Sequence, residues 1–350
     1  MMNWSRKVRM VGAHAEGEIG RVIVEGAPEI PGDTMLERLN WLNAYGDDLR
    51  RFTLFEPRGA AQMTINLLTA PCTPGAHAGF IPMQGDGSHA MSGSNAMCVT
   101  TVLLETGLVP IEDGLQQLVL DTAAGPVNAV AKCSNGKVES VSLDFFPSFV
   151  ERLDVEVTLS GLPPVLVDVA FGGVYYVLVD AAKLGLTIEP ASARELVALG
   201  NQILRAAREQ VTVQHPLIPE FNALEFCMFT GTVSEADRIF TNATVMPPGR
   251  LDRSPCGTGS AARLAVMHAK AQVAIGDEVT MRSTIGSQFH TRIVGATQVG
   301  SSMAILPNIT GRAWIYSDGE YGVCPQDPFT EGFTMADTWG DGIIHSLPVL

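Results

Sequence analysis

Alternating runs of β-branched and aromatic residues, each ended by Gly, Pro or Asp, recur along the chain. They predict strands over Arg21–Glu25, Leu118–Asp121, Val138–Leu143, Tyr175–Val179 and Val279–Ser283. Longer amphipathic or apolar spacing without internal proline predicts helices over Thr34–Tyr45, Met97–Glu105, Ala191–Glu209 and Ser260–Val273, the third carrying Gly200 within it. Strand signals outnumber helical ones, so the expected class is α+β with much mixed or antiparallel sheet.

One motif occurs twice. Met91-Ser92-Gly93-Ser94-Asn95 leads into the first of two apolar helices, which Gly107 stops, and Pro255-Cys256-Gly257-Thr258-Gly259 leads into the other, which Gly276 stops. Each run opens with a nucleophile followed by glycine, and Cys256 follows Ser92 by 164 residues. Upstream, Gly17-Glu-Ile-Gly-Arg-Val-Ile-Val-Glu25 echoes Gly172-Gly-Val-Tyr-Tyr-Val-Leu-Val-Asp180 at an offset of 155. The two offsets agree to within a short insertion. The expectation is two homologous lobes, each strand-rich around a helix that begins with a polar residue and glycine, facing each other across a cleft. The Pro-containing stretch Leu159–Pro164 places the boundary. Residues 1–160, joined by 335–350, form a first lobe carrying Ser92, and residues 161–334 a second carrying Cys256.

Composition narrows the classes. A chain of 350 residues with 46% hydrophobic and 17% charged residues is long and apolar enough to fold throughout, as two domains. The net charge of −14, with no basic run longer than Arg50-Arg51, leaves no surface suited to a phosphate backbone, so nucleic acid is not an expected partner. No apolar stretch reaches the roughly 18 residues of a membrane span and no apolar run follows the N-terminal charges, which predicts a cytoplasmic protein without a membrane partner. Six cysteines without a CxxC pair and seven histidines without an HxxxH pair argue against a disulfide framework or a structural zinc; no metal is expected.

Gly257–Ala262 and Gly85–Ala90 both fit G-x-G-x-x-A, but a dinucleotide loop needs a strand directly before it, and Pro247-Pro-Gly and Ser254-Pro255 supply loop chemistry instead. No nicotinamide or flavin is expected. What these glycines allow is close approach of an anion to the unpaired amides of a helix N-terminus. Two such ends would grip a carboxylate and leave Ser92 and Cys256 pointing at the atoms beside it. A cysteine at a helix start is expected to have a lowered thiol pKa. Asp252 suits a cationic amine. His14 and His89 each fit loop hydrogen bonding as well as base chemistry.

Ala13-His-Ala-Glu-Gly-Glu18, Ile30-Pro-Gly-Asp-Thr-Met35, Glu56-Pro-Arg-Gly59, Met91-Ser-Gly-Ser94, Phe171-Gly-Gly173 and above all Asp252-Arg-Ser-Pro-Cys-Gly-Thr-Gly259 resemble the proline racemase family, with its hydroxyproline 2-epimerases and trans-3-hydroxy-L-proline dehydratases. The resemblance spans nearly the whole chain. It implies a cofactor-independent enzyme, usually a homodimer. The implied fold is diaminopimelate epimerase-like: two pseudo-symmetric lobes, each a mixed sheet or barrel around a central helix, with the active site in the cleft. It also implies hydroxyproline as substrate and the planar pyrrole-2-carboxylate as inhibitor. Carried over by position, Ser92 and Cys256 are the two proton-transferring residues. Gly93, Ser94, Gly257 and Thr258 fall where the family binds the carboxylate and ring, and Asp252 where it binds the ring nitrogen; His89 stands beside this set.

The sequence departs from the racemase pattern at Ser92-Gly93-Ser94, where Cys-Gly-His is usual. A serine hydroxyl is a far weaker acid than a thiol and cannot trade protons with Cys256 on equal terms. The asymmetry favours trans-3-hydroxy-L-proline dehydratase, removing the C2 proton and the C3 hydroxyl to give Δ1-pyrroline-2-carboxylate. The alternatives are a 4-hydroxyproline (or 3-hydroxyproline) 2-epimerase and, more remotely, an inactive imino-acid-binding protein.

Overall fold

The computed structural model describes residues 3–340. Among the described residues, the first compact unit spans 3–142 and 312–340, and the second 143–311. Of the segment 335–350 expected to join the first lobe, residues 341–350 lie outside the described residues.

The first unit contains β1 (Arg6–Ala15), β2 (Glu18–Glu25), β3 (Thr64–Thr69), β4 (Ala78–Met83), β5 (Gly114–Thr122) and β6 (Gly125–Ser134). Strand β7 (Lys137–Asp144) runs up to its boundary. Along this unit the pairings run antiparallel β1–β2, parallel β2–β3, antiparallel β3–β4, parallel β4–β5 and antiparallel β5–β6. Helices α1 (Met35–Tyr45) and α2 (Asp47–Leu54) connect β2 to β3, and α3 (Gly93–Glu105) connects β4 to β5. Thr34 and Glu37 form a reciprocal capping box that starts α1. Every residue of α3 from Gly93 to Leu104 is buried, and the helix packs against β1, β2, β3 and β6. A helix apolar all round has no face to offer solvent, so sheet must wrap it.

In the second unit, β8 (Ser148–Val157), β9 (Val165–Phe171), β10 (Tyr175–Asp180), β11 (Leu224–Ser234), β12 (Ile239–Met246), β13 (Arg250–Leu251), β14 (Glu278–Arg282), β15 (Gln288–Val299) and β16 (Ser302–Gly311) follow in order. Antiparallel β9–β10, parallel β10–β11, antiparallel β11–β12, parallel β12–β14 and antiparallel β14–β15 repeat the sequence of pairings of the first unit. β15 then pairs with β16, β16 with β8 and β8 with β9, closing an eight-stranded barrel. Its axis is α5 (Gly257–Ala269), buried from Gly257 to Met267 and in contact with β8, β9, β10, β15 and β16. The amphipathic α4 (Ala193–Gln210) covers the outside of the barrel, setting Leu196, Ile203 and Ala207 into a core shared with Phe229 and Val245. The last strand, β17 (Ala313–Val323), pairs with β1 along Arg6–Ala15 in the first unit.

These strands place the division at 142/143 and 311/312, whereas the expected lobes divided at 160/161 and 334/335. β8 belongs to the second unit because it closes that barrel, and β17 to the first because β1 is its partner. The two central helices also begin earlier than expected, α3 at Gly93 and α5 at Gly257. Glycine, serine and threonine are poor helix formers, but here burial within the sheet decides and propensity does not. Among the described residues, no helix is long and apolar enough to cross a membrane.

Candidate active site

Ser92 and Cys256 are the N-cap residues of α3 and α5. Each carbonyl accepts the first helical hydrogen bond, from Ala96 at 2.9 Å and from Ser260 at 2.8 Å. The amides of Gly93, Ser94, Gly257 and Thr258 open the two helices, where no intrahelical acceptor exists and the helix field favours an anion. Neither Ser92 Oγ nor Cys256 Sγ serves as the usual side-chain cap of its helix.

In the first unit Ser92 is extended, with φ −148° and ψ 125°. Its hydroxyl oxygen accepts a 2.8 Å hydrogen bond from Asn95 Nδ2. Asn95 Oδ1 in turn accepts from Asn66 Nδ2 at 2.8 Å, and the same Asn66 nitrogen donates to the Arg21 carbonyl at 3.3 Å. The His89 ring lies 3.0 Å from Asp86 Oδ1. Burial pushes the Asp86 carboxyl up, but the hydrogen bond and charge of His89, with Arg50 behind, hold it below its ordinary value. His14 Nδ1 accepts from the Gly17 amide, and its ring stacks on Trp314 with centroids 5.2 Å apart. Burial lowers the His14 pKa. The His89 ring thus meets Asp86 and the His14 ring the β1–β2 turn, while Asn95 meets Ser92.

In the second unit Cys256 has φ 65° and ψ 111°, a left-handed conformation rare outside glycine and costly to hold. Its amide donates to Ser254 Oγ at 3.1 Å, and the Ser254 amide and hydroxyl both donate to Asp252 Oδ1, at 2.8 and 2.9 Å. The Asp252-Arg-Ser-Pro-Cys run is therefore a loop tied to its own carboxylate, entered from the two-residue antiparallel strand β13. It is not the strand-to-helix turn of a dinucleotide site. Behind the thiol, Tyr176 Oη lies 3.3 Å from Cys256 Sγ and 2.6 Å from Thr258 Oγ1. Gly259 makes this arrangement possible: a Cβ there would meet Met228 Cε at 2.1 Å, Cys256 Sγ at 3.0 Å and Tyr176 Cε1 at 3.1 Å.

The expectation of a lowered Cys256 pKa is corrected by this environment. Burial, then the Asp252 charge, push the thiol up to about 12, outweighing the contact with Tyr176 Oη that acts the other way. The helix N-terminus is outweighed here because Cys256 is buried in an apolar cluster that includes Tyr176, Met228 and Ala262. Burial likewise raises the Tyr176 phenol well above its ordinary value, so it rests as a hydrogen-bond donor. Among the described residues no His, Cys, Asp and Glu gather into a group able to hold a metal.

Asn66, Asn95, Tyr176 and Ser254 were not singled out from the sequence. Two of them carry a signal there. Asn95 stands three residues after Ser92, the position from which a capping-box residue reaches back to the N-cap. Tyr176 has the opposite parity to Tyr175 in β10, so one ring enters the outer core while the other meets α5.

Two repeated units, each a sheet around a buried helix with a serine or cysteine at its N-cap, define an epimerase-type fold. A family model described as proline racemase matches residues 10–334, and the chain belongs to that family. It is 43% identical over 341 residues, 97% of its length, to the 4-hydroxyproline 2-epimerase of Agrobacterium fabrum, of which 98% is covered. The 4-hydroxyproline 2-epimerase of Rhizobium etli matches at the same identity and coverage. Among solved structures, a hydroxyproline epimerase from Agrobacterium vitis with bound trans-4-hydroxy-L-proline superposes with a TM-score of 0.91 at 43% identity, covering 98% of this chain and 99% of that one. The expected trans-3-hydroxy-L-proline dehydratase is overturned by these matches: full-length relatives at this identity are named epimerases. The protein is an enzyme of the proline racemase family with an epimerase-type role.

Proposed function

We propose that this protein is a 4-hydroxyproline 2-epimerase that inverts C2 of trans-4-hydroxy-L-proline to give cis-4-hydroxy-D-proline. The observation that carries the reading is the full-length similarity to proteins of that name, one of them solved with trans-4-hydroxy-L-proline bound. The geometry within each unit supports it. The amides of Gly93, Ser94, Gly257 and Thr258 suit the substrate carboxylate, and anchoring that group withdraws charge from C2 as its proton leaves. Asp252 takes the cationic ring nitrogen.

Inversion at C2 takes a proton from one face and gives one to the other, and Ser92 and Cys256 are the two residues that the family resemblance assigns to this exchange, with one proton shared between them. With Cys256 as thiolate and Ser92 as hydroxyl, the sulfur removes the C2 proton and the Ser92 hydroxyl returns its own to the other face. The enzyme is left with a thiol and an alkoxide. The reverse reaction uses this second form: the alkoxide removes the proton and the thiol supplies one. Atoms and charge balance, and each turnover exchanges the two forms.

The test is incubation with trans-4-hydroxy-L-proline in deuterated water. C2 deuteration with accumulation of the cis-4-hydroxy-D epimer is expected, and its loss in a Cys256→Ala variant. A folded wild-type protein that neither exchanges C2 nor yields the epimer overturns the reading.

A further inference from the structure

We propose that Asn95, held by Asn66, is a positioning residue that makes the Ser92 hydroxyl competent to exchange a proton with the substrate. The inference rests on the epimerase reading and concerns its pairing of a hydroxyl with a thiol.

The orientation of the relay follows from chemistry. The Arg21 carbonyl can only accept, so the Asn66 atom facing it is the NH2 group. The same nitrogen faces Asn95 at 2.8 Å, which makes that Asn95 atom the oxygen. Asn95 is thereby obliged to turn its NH2 group to Ser92. Asn66 and Asn95 are both fully buried, so no water competes for these bonds. Asn66 Oδ1 accepts no hydrogen bond among the described residues. A buried acceptor left unpaired is costly, and this one is the consequence of directing the amide nitrogen towards Arg21 and Asn95. Gly20 leaves the space the relay occupies: a Cβ there would stand 2.4 Å from Asn95 Oδ1 and 3.1 Å from Asn66 Nδ2.

The effect on Ser92 is directional. An N–H aimed at Oγ leaves the hydroxyl proton free for substrate and stabilises the oxygen most when that proton has gone. The relay thus lowers the cost of the alkoxide form that the reaction passes through. The environment of Cys256 closes the gap from the other side, because burial and Asp252 disfavour the competing thiolate.

The test compares Asn95→Ala in the wild-type enzyme and in a Ser92→Cys background, reading C2 deuterium exchange from each epimer of 4-hydroxyproline. In the serine enzyme the rate falls about 10- to 100-fold, the loss expected when an ionised acceptor loses its donor. In the cysteine background the same substitution costs only a few-fold, because a thiol ionises without that help. Asn66→Ala reproduces the dependence on background more weakly. An equal loss in both backgrounds assigns Asn95 a purely structural role and overturns the proposal, as does undiminished exchange by Asn95→Ala in the serine enzyme. Asn95→Leu, closer in volume, carries the comparison if the alanine variant does not fold. Failure of the epimerase reading itself shows earlier and separately, as wild-type protein that does not exchange C2.

Discussion

Replacing Tyr176 by Phe removes one oxygen from the second unit and leaves the ring where it packs, against Phe226 at a centroid distance of 5.5 Å. That oxygen is 3.3 Å from Cys256 Sγ and 2.6 Å from Thr258 Oγ1. A phenol has one proton to give. With Cys256 as thiol it serves Thr258; with Cys256 as thiolate it turns to the sulfur while the Thr258 hydroxyl donates to the phenol oxygen. A hydrogen bond to a charged group is worth about 1.5–3 kcal/mol. Its loss raises the Cys256 pKa by about 1–2 further units at 1.36 kcal/mol per unit. Turnover falls by the corresponding ~10- to 100-fold. Both directions of epimerisation slow by the same factor in kcat/KM, because the equilibrium between the epimers is fixed. The loss stays constant across the working pH range, which lies below the thiol pKa in both proteins. The assay is kcat/KM for each epimer over that range, with thiolate absorbance measured against a Cys256→Ala blank and thermal unfolding as the control for folding. Activity and thiolate titration both unchanged would refute the role assigned to the phenol.

Asp252→Asn acts in the opposite sense on the same thiol. It removes the second cause of the raised pKa, so the Cys256 thiolate forms at lower pH and native-state alkylation quickens, while KM rises because the ring nitrogen loses its counter-charge; slower alkylation would contradict the assignment. In the wild type, alkylation of Cys256 should climb about tenfold per pH unit through the neutral and mildly alkaline range. A thiol raised to about 12 is less ionised at every lower pH than an ordinary one, and a plateau near the usual thiol pKa would refute the burial argument. Gly259→Ala forces a methyl group to 2.1 Å from Met228 Cε and should destabilise the fold by about 1–3 kcal/mol as overpacking, measured by denaturant unfolding.

Much of this was legible in the chain because two motifs repeat. Ser92-Gly93-Ser94 and Cys256-Gly257-Thr258 marked the two helix starts, and the order of strand pairings repeats between the two units. What was not legible depends on contacts distant in sequence. Asn66 meets Asn95 across 29 residues and Tyr176 meets Cys256 across 80, and neither spacing has a local signature. The thiol pKa was misjudged because a helix N-terminus is a local feature, whereas burial is set by the barrel around it. The lobe boundaries fell elsewhere because β8 and β17 each follow the last strand of one unit and complete the other, which a reading by sequence order does not anticipate.

The serine and the cysteine are supported from different elements, and the glycines show why. In the first unit the helix supplies the polar group, Asn95, and the strand makes room with Gly20. In the second the strand supplies it, Tyr176, and the helix makes room with Gly259. A short amide that donates to oxygen sits beside the weaker acid, and a phenol that can turn its proton to sulfur once the thiol has ionised sits beside the stronger. Duplication produced two equivalent helix starts, but an amide and a phenol are not interchangeable supports: each fits the volume left by its own glycine. Ser92→Cys alone therefore need not yield a more active symmetric enzyme. It places a larger sulfur against an amide set for oxygen and removes the mismatch that Asn95 and the buried Cys256 together offset.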